Sequence, residues 1–136
     1  MRIEKDLIKN LRRNTPTILW NRVENLAVSG MPDLLGYNKN GFFFTVETKL
    51  TAVNSVKFRP HQIAWHVQHS SNAFILLFSK KHRATKLFKS TSIHDLVKLG
   101  FKSPNHVAMT WDEISHTLQS VGLGGEARNL TPTPDP

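Results

Sequence analysis

Apolar positions recur at helical spacing near the N-terminus, where Ile3, Leu7, Ile8 and Leu11 form one stripe with Lys5, Lys9 and Arg12 mostly outside it. This predicts an amphipathic helix over residues 2–13, ended by Pro16. The run from Thr17 to Glu24 reads as a strand, followed by a loop from Asn25 to Met31. Pro32 to Tyr37 is short and apolar, Asn40-Gly41 is a favoured hairpin pair, and Gly41 to Leu50 is aromatic and β-branched. Together they predict a β-hairpin. Residues 51–58 form a polar loop, and Pro60 suits the first turn of a helix that runs to about His69. Ala73 to Phe78 is continuously apolar, as in a strand buried on both faces, and a further strand is expected over Thr85 to Phe88. Short helices follow at Ser92–Leu99 and at Trp111–Val121, the latter capped by Thr110. The order is α-β-β-β-α-β with peripheral elements, an α/β fold around a mixed sheet. Residues 1–121 are expected to form a single domain. Residues 122–136, with their glycines and prolines, are expected to form a flexible C-terminal tail.

Composition narrows the class. At 136 residues and 39% hydrophobic content the chain can build one modest core. Cysteine is absent, which excludes a disulfide framework and thiolate metal sites and suits a reducing cytoplasm. No apolar run reaches the ~18 residues of a membrane span, and the first residues lack a signal peptide's apolar centre. A cytoplasmic protein with no membrane partner is the expectation. Net charge is +8. Basic residues gather at Lys57-Phe58-Arg59-Pro60-His61 and at Lys80-Lys81-His82-Arg83, continuing to Lys86 and Lys89. Such a balance predicts a nucleic-acid partner.

Against this basic background stand Ser29-Gly30-Met31-Pro32-Asp33 and, thirteen residues beyond Asp33, Glu47-Thr48-Lys49. About 0.8 acid-x-Lys triplets are expected by chance in a chain of this composition, so the triplet alone decides nothing. Its context does. Alternation along the strand puts Glu47 and Lys49 on one face with Phe43 and Thr45, and the hairpin folds Asp33 back toward Glu47. Two acids that can share a divalent cation, beside a lysine, are the parts needed to hydrolyse a phosphodiester.

The element order, the Pro32-Asp33 pair and the Glu47-Thr48-Lys49 triplet resemble the PD-(D/E)XK nuclease superfamily. With Arg59-Pro60-His61-Gln62-Ile63-Ala64-Trp65-His66 added, residues 1 to about 80 are similar to the compact, stand-alone VRR-NUC nucleases of phages and bacteria. Those are akin to archaeal-type Holliday junction resolvases. The resemblance implies a restriction-endonuclease-like core and a Mg²⁺-dependent endodeoxyribonuclease, with Mn²⁺ as an alternative ion. It implies branched, flap or junction DNA as substrate, a homodimer, and action in a host's cytoplasm if the chain is phage-encoded. It makes Asp33, Glu47 and the Thr48 main-chain carbonyl metal ligands. Lys49 would hold or help deprotonate the attacking water, and Gln62 would orient water or a phosphate oxygen. A sequence-specific restriction or homing nuclease, and a non-catalytic nucleic-acid-binding protein of the same fold, are the alternatives.

The resembling families often add an acid from the first helix. At ~100° per residue Glu4 lies near the centre of the apolar stripe and Asp6 points away, which favours Glu4. Glu24, at the end of its strand, also competes. Gln62 shares a helical face with Trp65, His66 and His69, leaving Ile63, Ala64 and Val67 as the more apolar side. His61, His66 and His69 are better read as phosphate or solvent contacts than as zinc ligands, since no cysteine accompanies them. Ser29, Lys57, Arg59, Lys80, Lys81 and Arg83 are the candidate DNA contacts.

Overall fold

The computed structural model describes residues 3–23 and 30–123; Glu24, Ser29 and residues 124–136 of the expected tail lie outside the described residues. The elements are α1 (Glu4–Asn14), β1 (Leu19–Arg22), β2 (Leu34–Tyr37), β3 (Phe43–Thr51), α2 (Pro60–Gln68), β4 (Ala73–Ser79), β5 (Ala84–Lys89), α3 (Ile93–Leu99) and α4 (Trp111–Gln119). The five strands form one sheet in sequence order. Neighbours are antiparallel except β3 and β4, which run parallel because α2 carries the chain across between them. This is the mixed sheet expected from the sequence.

Alternation along the strands sends two sets of side chains to opposite faces. On one face Phe44, Val46, Phe74, Leu76 and Leu87 pack with Leu7, Ile8 and Leu11 of α1 and with Ile114 and Leu118 of α4. On the other, Ile75, Leu77 and Phe88 pack with Ile93, Leu96, Phe101 and Val56. All seven residues of β4 are buried, as its unbroken apolar run predicts. The helices after β5 are therefore not peripheral. α4 closes the α1 face and α3 helps close the α2 face.

Three local expectations need correction. Ile3 precedes α1 and is 54% exposed, so the buried stripe is Leu7, Ile8 and Leu11. The hairpin connection spans Asn38 to Phe42 and not a two-residue turn, because the buried Asn38 carboxamide organises it. Its Oδ1 accepts from the backbone N–H groups of Asn40 and Phe42 while Nδ2 donates to the Leu118 and Val121 carbonyls. In α2 it is Trp65 and His66 that turn inward, whereas Ala64 and Val67 are exposed. Of the side expected to be more apolar only Ile63 packs against the core, while Ala64 and Val67 face water.

Candidate active site

Asp33 stands one residue before β2. Leu34 pairs with Val46, so one more step of the antiparallel register sets Asp33 opposite Glu47. The ladder ends there, and side-chain bonds replace it. Asp33 Oδ2 accepts from the Thr48 hydroxyl at 3.0 Å and from the Thr48 N–H at 3.3 Å. Thr48 is fully buried and projects, like Val46, toward the α1 side of the sheet. Its hydroxyl and N–H are the groups seen in contact with Asp33.

Glu47 projects to the other side, toward α2. It is 3% exposed, and its Oε1 has no hydrogen-bond partner. Burial and the facing Asp33 carboxylate push its pKa up to about 8, with Lys49 opposing the shift and Glu4 adding to it. An isolated buried carboxylate is costly to ionise, so this group needs a cationic partner to be charged at neutral pH. Thr45 Oγ1, two residues earlier on the same face, is also buried and unpartnered.

Lys49, half-buried, directs its ammonium to Gln62 Oε1 at 3.2 Å and stands over the Phe58 ring. The Gln62 oxygen also accepts the Arg59 N–H at 2.9 Å, which anchors the side chain to the first turn of α2. Glu4 reaches the cluster from α1. Most of the residue is exposed, yet partial burial of its carboxyl and the Asp33 charge raise its pKa, opposed by Lys49, a Thr48 hydrogen bond and Arg22. The structure thus brings Glu4, Asp33, Glu47, Thr48, Lys49 and Gln62 around one point of β3, from both faces of the sheet.

The basic candidates Lys57, Arg59, Lys80, Lys81 and Arg83 are all exposed. The Lys80 and Lys81 N–H groups donate to the Thr51 and Ala52 carbonyls, so the β4–β5 turn abuts the loop that leads to α2. The histidines disperse. His61 is exposed, His69 stacks on Trp65 at 3.8 Å, and His66 is buried with Nδ1 2.7 Å from Ser90 Oγ. Burial, His69 and Lys49 hold the His66 pKa down to about 4, so its ring is neutral.

Three residues of the site were not anticipated. Gly30 has φ +80, and a Cβ there would lie 2.2 Å from the His61 carbonyl oxygen. Only glycine lets the Asp33 segment lie this close to the start of α2. Arg22 acts on Glu4, and Phe58 lies under Lys49. The positive φ of Gly30 had a signal in its Gly-Met-Pro setting, whereas contacts of Arg22 and Phe58 depend on packing between distant elements. A surface hollow of about 620 Å³ lies among Ser70, Asn72, Lys89, Thr117 and Ser120 and contains none of these residues.

Among the described residues no three His, Asp or Glu side chains converge tightly enough to hold a metal by themselves. Mg²⁺ does not require that, since it is commonly bound by one or two carboxylates and keeps several waters. Asp33 and the unpartnered oxygen of Glu47 suit that mode of binding as hard oxygen donors, the second on a buried carboxyl that needs a cation to ionise at neutral pH.

No family model matches the chain, and no curated protein matches it in sequence. Among solved structures it is similar to Hjc, a Holliday junction resolvase from the archaeal hyperthermophile Archaeoglobus fulgidus. The match covers 66% of this chain and 76% of that one, with a TM-score of 0.50 and 20% sequence identity. Likeness at that identity speaks to the fold, and the fold is the PD-(D/E)XK one expected from the sequence.

Proposed function

We propose that this chain is a divalent-metal-dependent endodeoxyribonuclease that cuts branched DNA. The observation that carries the reading is Glu47, a buried carboxylate with an unpartnered oxygen that faces Asp33 beside an amine held by Gln62. A structural ion pair would have joined Glu47 to Lys49. Here the lysine bonds to Gln62 instead and keeps donors for another acceptor.

In this reading Asp33 and Glu47 would hold Mg²⁺ or Mn²⁺ together with the Thr48 main-chain carbonyl, and Glu4 would add a carboxylate to the ion's surroundings. When bound, the ion supplies Lewis-acid activation and charge neutralisation for phosphodiester hydrolysis. Lys49, as an ammonium, would orient the attacking water, whose proton leaves to solvent, and would offset negative charge that builds on the phosphorane-like transition state. Water adds to phosphorus and the opposite P–O bond breaks, leaving a phosphate monoester and a hydroxyl. Gln62, its oxygen engaged by Lys49 and the Arg59 N–H, donates through its amide nitrogen to water or a phosphate oxygen.

Lys57, Arg59, Lys80, Lys81 and Arg83 contact phosphates, with Ser29 as a further contact, so shape and not base sequence selects the substrate. Residues 1–121 form the nuclease domain. A homodimer would supply the two centres needed for paired cuts on opposed strands. The protein acts in a cytoplasm, and no helix among the described residues is long and apolar enough to cross a membrane.

The test is a panel of labelled duplex, single-strand, flap, fork and four-way-junction DNAs incubated with Mg²⁺, Mn²⁺ or EDTA. Cation-dependent cutting of a branched member in preference to plain duplex is expected. Cutting in EDTA, or none on any substrate, defeats the reading.

A further inference from the structure

The Lys49 ammonium has two neighbours that determine where it points. Gln62 Oε1 accepts from it at 3.2 Å, and the Phe58 ring lies beneath it with 5.4 Å from Nζ to the ring centroid. The ring is itself held. Phe58 packs against the Ile75, Leu77 and Phe88 core and meets the His66 ring edge-on at 6.4 Å and 82°. His66 is 1% exposed and bonded through Nδ1 to Ser90. Upstream, Asn54 fastens the same loop to the end of α3. Its carbonyl accepts the Phe101 N–H, its Oδ1 accepts the Lys102 N–H, and its Nδ2 donates to the Leu99 carbonyl.

We propose that Phe58 is a positioning residue for Lys49, an aromatic shelf that keeps the amine aimed at the reacting phosphate. The proposal rests on the nuclease reading above. A lysine side chain has four rotatable bonds, and this one is close enough to the Glu4 and Glu47 carboxyls to act on both electrostatically. Left unguided, its ammonium would collapse onto one of them and consume the charge that should meet the substrate. The negative face of an aromatic ring attracts the cation without neutralising it. Gln62 takes one of the three ammonium donors, and the others stay available for water and a phosphate oxygen. An aliphatic side chain at position 58 would fill the same space against the core but would not hold the charge.

Phe58→Leu and Phe58→Tyr separate these roles. At saturating DNA and Mg²⁺, Phe58→Leu should lower kcat three- to tenfold with KM for DNA unchanged, while Phe58→Tyr, which keeps the ring face, stays within about twofold of the parent. Proton NMR reads the contact without activity: the ring current should shift the Lys49 ε-methylene protons upfield in the parent and in Phe58→Tyr, and the shift should vanish in Phe58→Leu. If Phe58→Leu does not fold, Phe58→Met replaces it with the same expectations. Parental kcat in Phe58→Leu, a Phe58→Tyr as slow as Phe58→Leu, or no upfield shift in the parent overturns the proposal. A parent that shows the shift but cuts no substrate overturns the nuclease reading and the catalytic aim of the shelf, leaving only the contact.

Discussion

Helices α2 and α4 begin with the same local device and use it differently. At α4, Thr110 Oγ1 accepts the Glu113 N–H at 3.1 Å, and Glu113 Oε1 accepts the Thr110 N–H at 3.1 Å and the Met109 N–H at 2.9 Å. This is a closed capping box whose bonds all fall within five residues. The backbone bonds hold the Glu113 carboxyl below its usual range. At α2, Gln62 performs the glutamate's half of the box on the Arg59 N–H, but Arg59 has no side-chain acceptor to complete it. The Gln62 oxygen takes Lys49 as its second donor. One helix start closes through its own side chains; in the other the Gln62 N–H turns back to the Arg59 carbonyl and the Gln62 side chain also reaches the sheet. The difference teaches that an incomplete cap can mark a side chain shared between fold and site.

The largest expected effect tests whether the α2 end is the chemical one. Asp33→Asn, Glu47→Gln and Lys49→Ala should each lower cleavage by about 10³-fold or more with DNA binding largely kept, as for groups acting on the transition state. Glu4→Gln should cost about tenfold and Asp6→Asn less than about twofold, since Glu4 is the first-helix acid coupled to Asp33 and Thr48. Single-turnover cleavage on the preferred substrate measures all five. Full activity in Glu47→Gln would place the chemistry elsewhere.

The next effect concerns stability without substrate. The folded-state pKa of Glu47 is raised from 4.5 to about 8, so between those values the folded protein holds a proton that the unfolded chain has released. Stability therefore falls as pH rises through this window, by on the order of 5 kcal/mol in total. Denaturation in EDTA should show this fall in the parent and a flatter profile in Glu47→Gln. Added Mg²⁺ at pH 8 should restore stability to the parent but not to the variant, because only the parent keeps the carboxylate pair. Glu113, lowered and solvent-facing, contributes in the opposite sense, and Glu113→Gln should not flatten the profile.

How much of this was legible in sequence follows the range of each interaction. Leu7, Ile8 and Leu11, the unbroken run of β4 and the Thr110 cap are local patterns with fixed periods, and they were read correctly. The approach of Asp33 to Glu47 was also legible, because a hairpin converts separation into register. The inward turn of His66 was not, since it depends on Ser90 lying across the fold. Nor were the Phe58 shelf and the Asn38 bonds to Leu118 and Val121, which join elements far apart in the chain. Gly30 lies between the two cases. Its setting suggested a loop, but its close neighbour is the His61 carbonyl in α2. Gly30→Ala should lower both stability and cleavage, by about 1–3 kcal/mol and tenfold or more, because the clash falls on backbone and must move Asp33 or Gln62.

The smallest effect closes the comparison between the two helix starts. Thr110→Ala removes the acceptor of the α4 box and should cost about 1 kcal/mol, a fall in Tm of roughly 3–6 °C for a chain of this size. Cleavage measured well below Tm should be unchanged, since no candidate residue touches that box. Gln62→Ala deletes a comparable bond to the Arg59 N–H and should cost a similar amount of stability. It should also lower kcat about tenfold, because the same oxygen holds Lys49. Paired melting curves and single-turnover rates at one temperature read both quantities. If Gln62→Ala lowers Tm and leaves kcat at the parental value, Gln62 is a cap like its counterpart in α4 and the two helix starts are equivalent.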